Sequence, residues 1–273
     1  MPVNGYHMLP ARTLTLIIIL FCACSQPADK STGPEPGEPA IAPDVILRDY
    51  ASLYYYKTGE MMLTVKYTAL DTASHEISRE AFLEAFASGN YLPLKLVTAD
   101  SSLKYKLYPL PDSTPAGVRS ALQYYGKTYY GYYKREGKPF PFISLEDING
   151  QAYTKESTSG KILVVKCWFI HCVACVKEMP RLNQLVQQYR NRDDVLFLSL
   201  AFDDREQLRS FMKKTIFDYA VIPVPERYIS DSLQVNLYPT HLIVDKKGVI
   251  RNITSEAGEL AAALEEITGP GKN

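Results

Sequence analysis

Apolar and polar positions change rhythm along the chain. Leu14 to Phe21 is an apolar run broken only by Thr15, with Arg12 ahead of it. It has the length of a signal-peptide core and is too short to span a bilayer comfortably. Residues 25 to about 43 carry Pro, Gly, Ser, Glu and Ala without an apolar period, which predicts a flexible linker with nothing to bury. From Asp44 to Gly137 short alternating runs mix with helical spacing. Met61 to Leu70, Tyr91 to Val97 and Leu103 to Leu110 read as strands. Ser78 is placed to cap a helix over Arg79 to Ala87. Thr114-Pro115 reads as a cap followed by Pro at the first helical position. Beyond it Val118, Leu122, Tyr125, Tyr129 and Tyr132 share one helical face, weakened by Gly126 and Gly131. These elements predict a small α+β domain over 44–137.

The rhythm changes again over 138–273. Phe140 to Ser144 and Gln151 to Tyr153 flank the turn Ile148-Asn149-Gly150, a hairpin signal. Ile162 to Val165 is a buried strand bounded by Ser159-Gly160. Val173, Val176, Met179, Leu182, Leu185, Val186 and Tyr189 then follow at helical spacing. Pro180 removes a backbone donor inside that helix and predicts a kink. Val195 to Ala201 is a continuous apolar strand of the parallel-sheet kind. Arg205 to Lys214 reads as helix, Tyr219 to Ile222 as strand and Ser230 to Val235 as a short helix. Two strands, His241 to Val244 and Val249 to Ile253, flank the turn Asp245-Lys-Lys-Gly248 before a last helix over Glu256 to Ile267.

Charge adds only an exclusion. Lysines and arginines equal the acids at 30 each, so no global field points to nucleic acid. The five cysteines say more. Cys172 and Cys175 stand two residues apart where the strand hands over to the helix. Free N–H groups and the macrodipole at a helix start favour an anion, and thiolate is the nucleophile of disulfide exchange. Cys175, one turn later, is placed to resolve a mixed disulfide on Cys172. A single close pair does not make a disulfide scaffold. Cys167 reads as a small buried apolar residue or as a third thiol.

Phe21-Cys22-Ala23-Cys24-Ser25 resembles a bacterial lipobox. That resemblance implies a lipoprotein signal peptide over 1–24, lipidation of Cys24 as the first residue of the mature protein, and 25–43 as its tether; an ordinary cleaved signal is the other reading. Fourteen of the 20 tyrosines lie between Asp44 and Gly137. They offer flat area with a polar handle, either as a binding surface or as core and interface.

The element order over about 140–268 resembles the thioredoxin superfamily. Cys172-Val-Ala-Cys-Val-Lys-Glu-Met-Pro180, Trp168, Tyr238-Pro239-Thr240 and Val244-Asp-Lys-Lys-Gly248 resemble its TlpA/ResA branch of membrane-tethered thiol-disulfide oxidoreductases. The resemblance implies an α/β chain: a thioredoxin-like fold, with a central mixed sheet flanked by helices, preceded by the Tyr-rich α+β domain. It implies Cys172 as nucleophile and Cys175 as resolving thiol. Pro239 would be the cis-proline facing them, and Glu178 the acidic residue that raises their pKa or relays a proton. Trp168, His171, Tyr238 and Thr240 fall at the substrate-binding surface. Three positions depart from the pattern. Val173-Ala174 replaces the usual dipeptide, so neither a proline nor a charge tunes the first turn. His171 stands where Trp is usual, either lowering the thiolate pKa or without a role. Lys166 stands where Asp or Asn is common, either favouring thiolate, pairing with Glu178 or reaching the surface.

The function this implies is reduction of protein disulfides in the periplasm, with disulfide-containing proteins as substrates. Electrons would come from a membrane thiol donor, since no nicotinamide or flavin motif is visible and no cofactor is called for. The membrane is reached through the lipid anchor. Two other readings stay open. A copper- or zinc-delivery module would use the thiols with His171 and His241, although such relatives space their cysteines by three. A binding lipoprotein would act through the Tyr-rich domain. A peroxiredoxin is set aside because Trp168-Phe-Ile-His, without the required Thr or Ser, precedes Cys172.

Overall fold

The computed structural model describes residues 34–269. The expected signal and lipid-bearing Cys24 lie outside them. No helix among the described residues is long and apolar enough to cross a membrane.

The seven residues of β6 (Ile162–Trp168) are all buried, which makes this strand the centre of the molecule. Parallel β7 (Val195–Ala201) and β8 (Ala220–Pro223) lie on one side of it. Antiparallel β9 (Thr240–Val244) and β10 (Ile250–Thr254) lie on the other, in the order β10-β9-β6-β7-β8. Strands covered on both faces read as near-continuous apolar runs, which is why β6 and β7 are plain in the sequence. Helices α5 (Val173–Lys177), α6 (Met179–Gln188), α7 (Arg205–Met212) and α8 (Ala257–Thr268) flank the sheet. The helix after Cys172 breaks at Glu178, just before Pro180 in the first turn of α6. That is the kink expected from the missing N–H. The predicted hairpin is shorter than its apolar residues suggest: β4 (Leu145–Glu146) pairs with β5 (Ala152–Tyr153). Asp147 Oδ1 accepts the N–H groups of Asn149 and Gln151 across the turn.

The tyrosine-rich part builds its own three-stranded sheet, order β1-β3-β2, from β1 (Thr68–Leu70), β2 (Tyr91–Lys95) and β3 (Lys104–Pro109). Helix α3 (Arg79–Ala87) begins as expected, with Ser78 Oγ accepting from Ala81 N–H at 3.1 Å. Helix α4 (Ala116–Arg135) starts one residue later than Thr114-Pro115 suggested and has no side-chain cap. Gly126 does not weaken α4 idly. A Cβ there would come within 2.4 Å of the Phe86 carbonyl oxygen, so glycine is what lets α3 and α4 touch. Two helices have no counterpart in the sequence reading, α1 (Pro43–Leu47) and α2 (Tyr50–Gly59), the latter capped by Asp49 through Ser52 N–H. Most of the expected strand over Met61 to Leu70 is irregular; only β1 remains of it. The described part of the expected linker is also narrower than 25–43. Gly37, Glu38 and Ala40 exchange backbone hydrogen bonds with Val97 and Lys95 and extend the edge of β2.

The two parts are sewn together. Tyr132 of α4 packs in the core of the larger sheet, and Val65 packs in the cluster beneath α8. Asn252 Nδ2 donates to the Thr64 carbonyl at 2.7 Å, and Lys57 pairs with Glu256. Glu259 is sealed in this seam. It accepts from Thr64 N–H at 3.3 Å and from the Thr254 hydroxyl at 2.5 Å. Burial pushes its carboxyl up to about 7 against these bonds and the nearby Lys57. The folded value lies above the ordinary 4.5, so between the two the fold holds a proton the unfolded chain has released. This contribution to stability is full below the unfolded value and is lost as pH rises through the folded one. The melting temperature of Glu259→Gln should therefore fall less than the wild type's between about pH 5 and about pH 7.5. Parallel melting curves for the two proteins over that window would refute the assignment.

Candidate active site

The first turn of α5 is held at its mouth by the two cysteines. Cys172 is the N-cap residue, its Sγ 3.2 Å from the donating Cys175 N–H, and its carbonyl accepts from Val176 N–H. The two residues form a disulfide with their Cα atoms 5.2 Å apart. They differ in access. Cys172 keeps 8% of its surface and Cys175 none, so an approaching thiol or disulfide can meet only the first sulfur. Val173 between them is 80% exposed, a bare apolar tip where no charge tunes the pair. Cys167 lies buried on the neighbouring strand, where burial pushes its thiol up to about 12. A thiol so held stays protonated and carries no exchange.

The Tyr238–Pro239 peptide bond is cis. The loop is fixed from below: Thr240 donates its hydroxyl to the Leu237 carbonyl at 2.7 Å and sits 3.4 Å from the Tyr132 hydroxyl. Tyr238 is half-buried, edge-on to Phe169 and Phe202, with centroids 5.4 and 5.8 Å away. Phe169 and Phe202 stack on each other at 4.9 Å. This trio of rings went unread in the sequence, because its members come from three separate loops and share no spacing.

The four expected substrate-binding residues lie at different depths. Trp168 is fully buried, tilted against Phe211 and edge-on to Phe217, in the same cluster as the two cysteines. Thr240 is likewise buried and anchors the proline loop. His171 is exposed and Tyr238 opens on the cleft described below.

An ion cluster gathers around Glu178, three residues beyond Cys175. Register pairs Lys166 on β6 with His241 on β9, and both side chains are fully buried. Glu178, at the break between α5 and α6, reaches both. It pairs with Lys166 Nζ, and its Oε1 lies 3.2 Å from His241 Nε2. The His241 contact is out of line for a good hydrogen bond, and Nδ1 has no partner in the protein. Burial pulls Lys166 and His241 down from their ordinary values, in each case resisted by the Glu178 charge. Burial also pushes Glu178 up, but His241 and Lys166 outweigh it and the carboxyl ends below its ordinary value. Glu178 is therefore an ionised acceptor and not a proton donor at neutral pH. Of the openings left for Lys166, pairing with Glu178 is the one the structure takes. His171 and His241 are not gathered with the thiols, and no group of three or more His, Cys, Asp or Glu able to hold a metal occurs among the described residues.

Residues 137–253 match the AhpC/TSA family. The chain is similar to the thiol-disulfide oxidoreductase ResA of Bacillus cereus, 28% identical over 149 residues that cover 51% of this chain and 86% of the relative. It is also similar to the thioredoxin-like protein YneN of Bacillus subtilis, 27% identical over 48% of this chain and 76% of the relative. Over this part the chain is similar to thioredoxin-like proteins, ResA and YneN among them. Among solved structures, the thioredoxin domain of a thiol-disulfide oxidoreductase from Bacteroides vulgatus covers 48% of this chain and 96% of itself, at 20% identity and a TM-score of 0.43. The thioredoxin-like part thus supplies sheet, dithiol and proline loop. The tyrosine-rich part lies outside the matched residues and contributes Tyr132 to the loop's support.

Proposed function

We propose that this chain is a thiol-disulfide oxidoreductase that reduces disulfides of exported proteins on the periplasmic side of a membrane, tethered there through Cys24. The observation that carries the chemistry is the asymmetry of the pair, one sulfur reachable at the helix mouth and one sealed behind it. In the reduced protein the Cys172 thiolate attacks one sulfur of a substrate disulfide. A Cys172–substrate bond forms, the substrate bond breaks, and the first substrate thiolate leaves and takes a proton. Cys175 then attacks Cys172, closing the intramolecular disulfide and releasing the second substrate thiol. The substrate gains two electrons and two protons. The protein loses them and is reset by a dithiol donor in the membrane. Pro239 without an N–H leaves the Tyr238 backbone edge free to pair with the substrate chain as it docks. The ionised Glu178, three residues beyond Cys175, can accept the resolving thiol's proton.

The absence of charge at 173–174 and the relatives' branch favour the reducing direction. Equilibration of the pair against glutathione buffers tests it. The expected potential lies near thioredoxin's about −270 mV, and a value near about −120 mV would make the protein an oxidant.

A further inference from the structure

Three of the exposed tyrosines converge on one place. Tyr50 and Tyr54 on α2 and Tyr124 on α4, each about half exposed, line one cleft of about 700 Å³ whose far wall holds Ala174, Tyr238 and Pro239. Spacing explains the convergence. Tyr50 and Tyr54 lie one turn apart on α2, and Tyr125, Tyr129 and Tyr132 follow at helical spacing on α4 beside Tyr124, so each helix lines the cleft with tyrosines. The tyrosines that the sequence left between core and binding surface therefore divide. Tyr56, Tyr105 and Tyr129 are core, whereas Tyr50, Tyr54 and Tyr124 are exposed and line the cleft that also holds Tyr238 and Pro239.

Charge gives the cleft a sign. Its two carboxylates are already committed, Glu178 to Lys166 and His241, and Glu256 to Lys57. Lys177 and Arg181 of the same lining form no ion pair among the described residues. A second cleft of about 850 Å³ shares Tyr124, Tyr132 and Leu237 with the first. Lys127, Lys134, Arg135 and Lys138 line it with no acidic side chain. In a chain whose charges cancel overall, this is a local excess of cation around aromatic rings, continuous with the reacting sulfur's surroundings.

We propose that the two clefts bind the acidic, aromatic-containing segment flanking the cysteine of a protein substrate, which makes the tyrosine-rich part the specificity element of the enzyme. Rings accept the apolar and aromatic side chains. The lysines accept the carboxylates and speed encounter in a salt-dependent way. The proposal rests on the oxidoreductase reading above, and its test separates the two.

Two synthetic peptide disulfides would be compared, alike except that the cysteine is flanked by Phe, Asp and Glu in one and by Phe, Lys and Arg in the other. The wild type should reduce the acidic peptide at least about tenfold faster in kcat/KM at low salt, with the preference shrinking as salt is added. The exposed pair Lys127→Glu with Lys134→Glu should abolish or invert the preference. Tyr50→Ala with Tyr124→Ala should raise KM more than it lowers kcat. Equal rates for the two peptides, or a preference untouched by charge reversal, would overturn the proposal. If neither peptide is reduced, the oxidoreductase reading fails. Calorimetry with the same peptides carrying Ser for Cys then decides the clefts by themselves: binding of the acidic peptide alone supports them, and binding of neither or of both alike refutes them.

Discussion

Replacing Cys172 with alanine lowers turnover of a protein disulfide by at least about a thousandfold, the scale on which loss of a nucleophile acts. The reason is geometric before it is chemical. Cys175 is fully enclosed, so it cannot substitute as attacking sulfur, and Cys167 is buried with its thiol pushed up to about 12. Among the described residues no other cysteine is within the chain's means. Far-ultraviolet circular dichroism of the variant should match the wild type, since residue 172 caps only the short α5. Full turnover by Cys172→Ala in an insulin-type reduction assay would remove the nucleophile from the account.

The second large effect concerns stability. Glu178→Gln takes away the carboxylate that pairs with the buried Lys166. Breaking one member of a buried pair strands the other charge in low dielectric, at a cost of about 3–5 kcal/mol. Lys166 can escape by shedding its proton, which ties the loss to pH. The folded lysine is then neutral while the unfolded one, near about 10.4, still binds a proton. The destabilisation is thus largest at neutral pH and fades as pH rises toward the unfolded lysine value. Adding Lys166→Met to Glu178→Gln should restore most of the loss by removing the stranded charge. Chemical denaturation of the three proteins checks this; a single variant as stable as the wild type at neutral pH would show that the pair carries no weight.

What was legible in the sequence follows from how local each feature is. Strand β7 was read over its full length because a buried parallel strand is a continuous apolar word. The dithiol and the Tyr238-Pro239 loop were read because each is a contiguous motif. Pairing of Lys166 with Glu178 was one of the openings the sequence left, but the choice among them and the arrival of His241 were not derivable. Both depend on the β6–β9 register and on the helix breaking at Glu178. The surroundings of Trp168 were hidden for the same kind of reason: Phe211 and Phe217 reach it from distant stretches of the chain. Helix α2 escaped notice because Tyr-Ala-Ser-Leu-Tyr-Tyr-Tyr is poor in strong helix formers. It is held instead by the Asp49 cap and by Leu53 and Tyr56 in the core. Gly126 looked like a defect in isolation and proved to be a helix-crossing point, visible only once α3 is in place.

The claim beneath all of this is that Cys172 is the sulfur that meets the substrate and Cys175 the one that lets it go. Trapping tests that directly. Reduced Cys175→Ser protein would be mixed with a protein disulfide, quenched with acid, and digested for mass spectrometry. A stable covalent adduct mapped to Cys172, absent from the wild type because Cys175 resolves it, is the expected result. An adduct on another cysteine, or none at all under conditions where the wild type turns over, would contradict it.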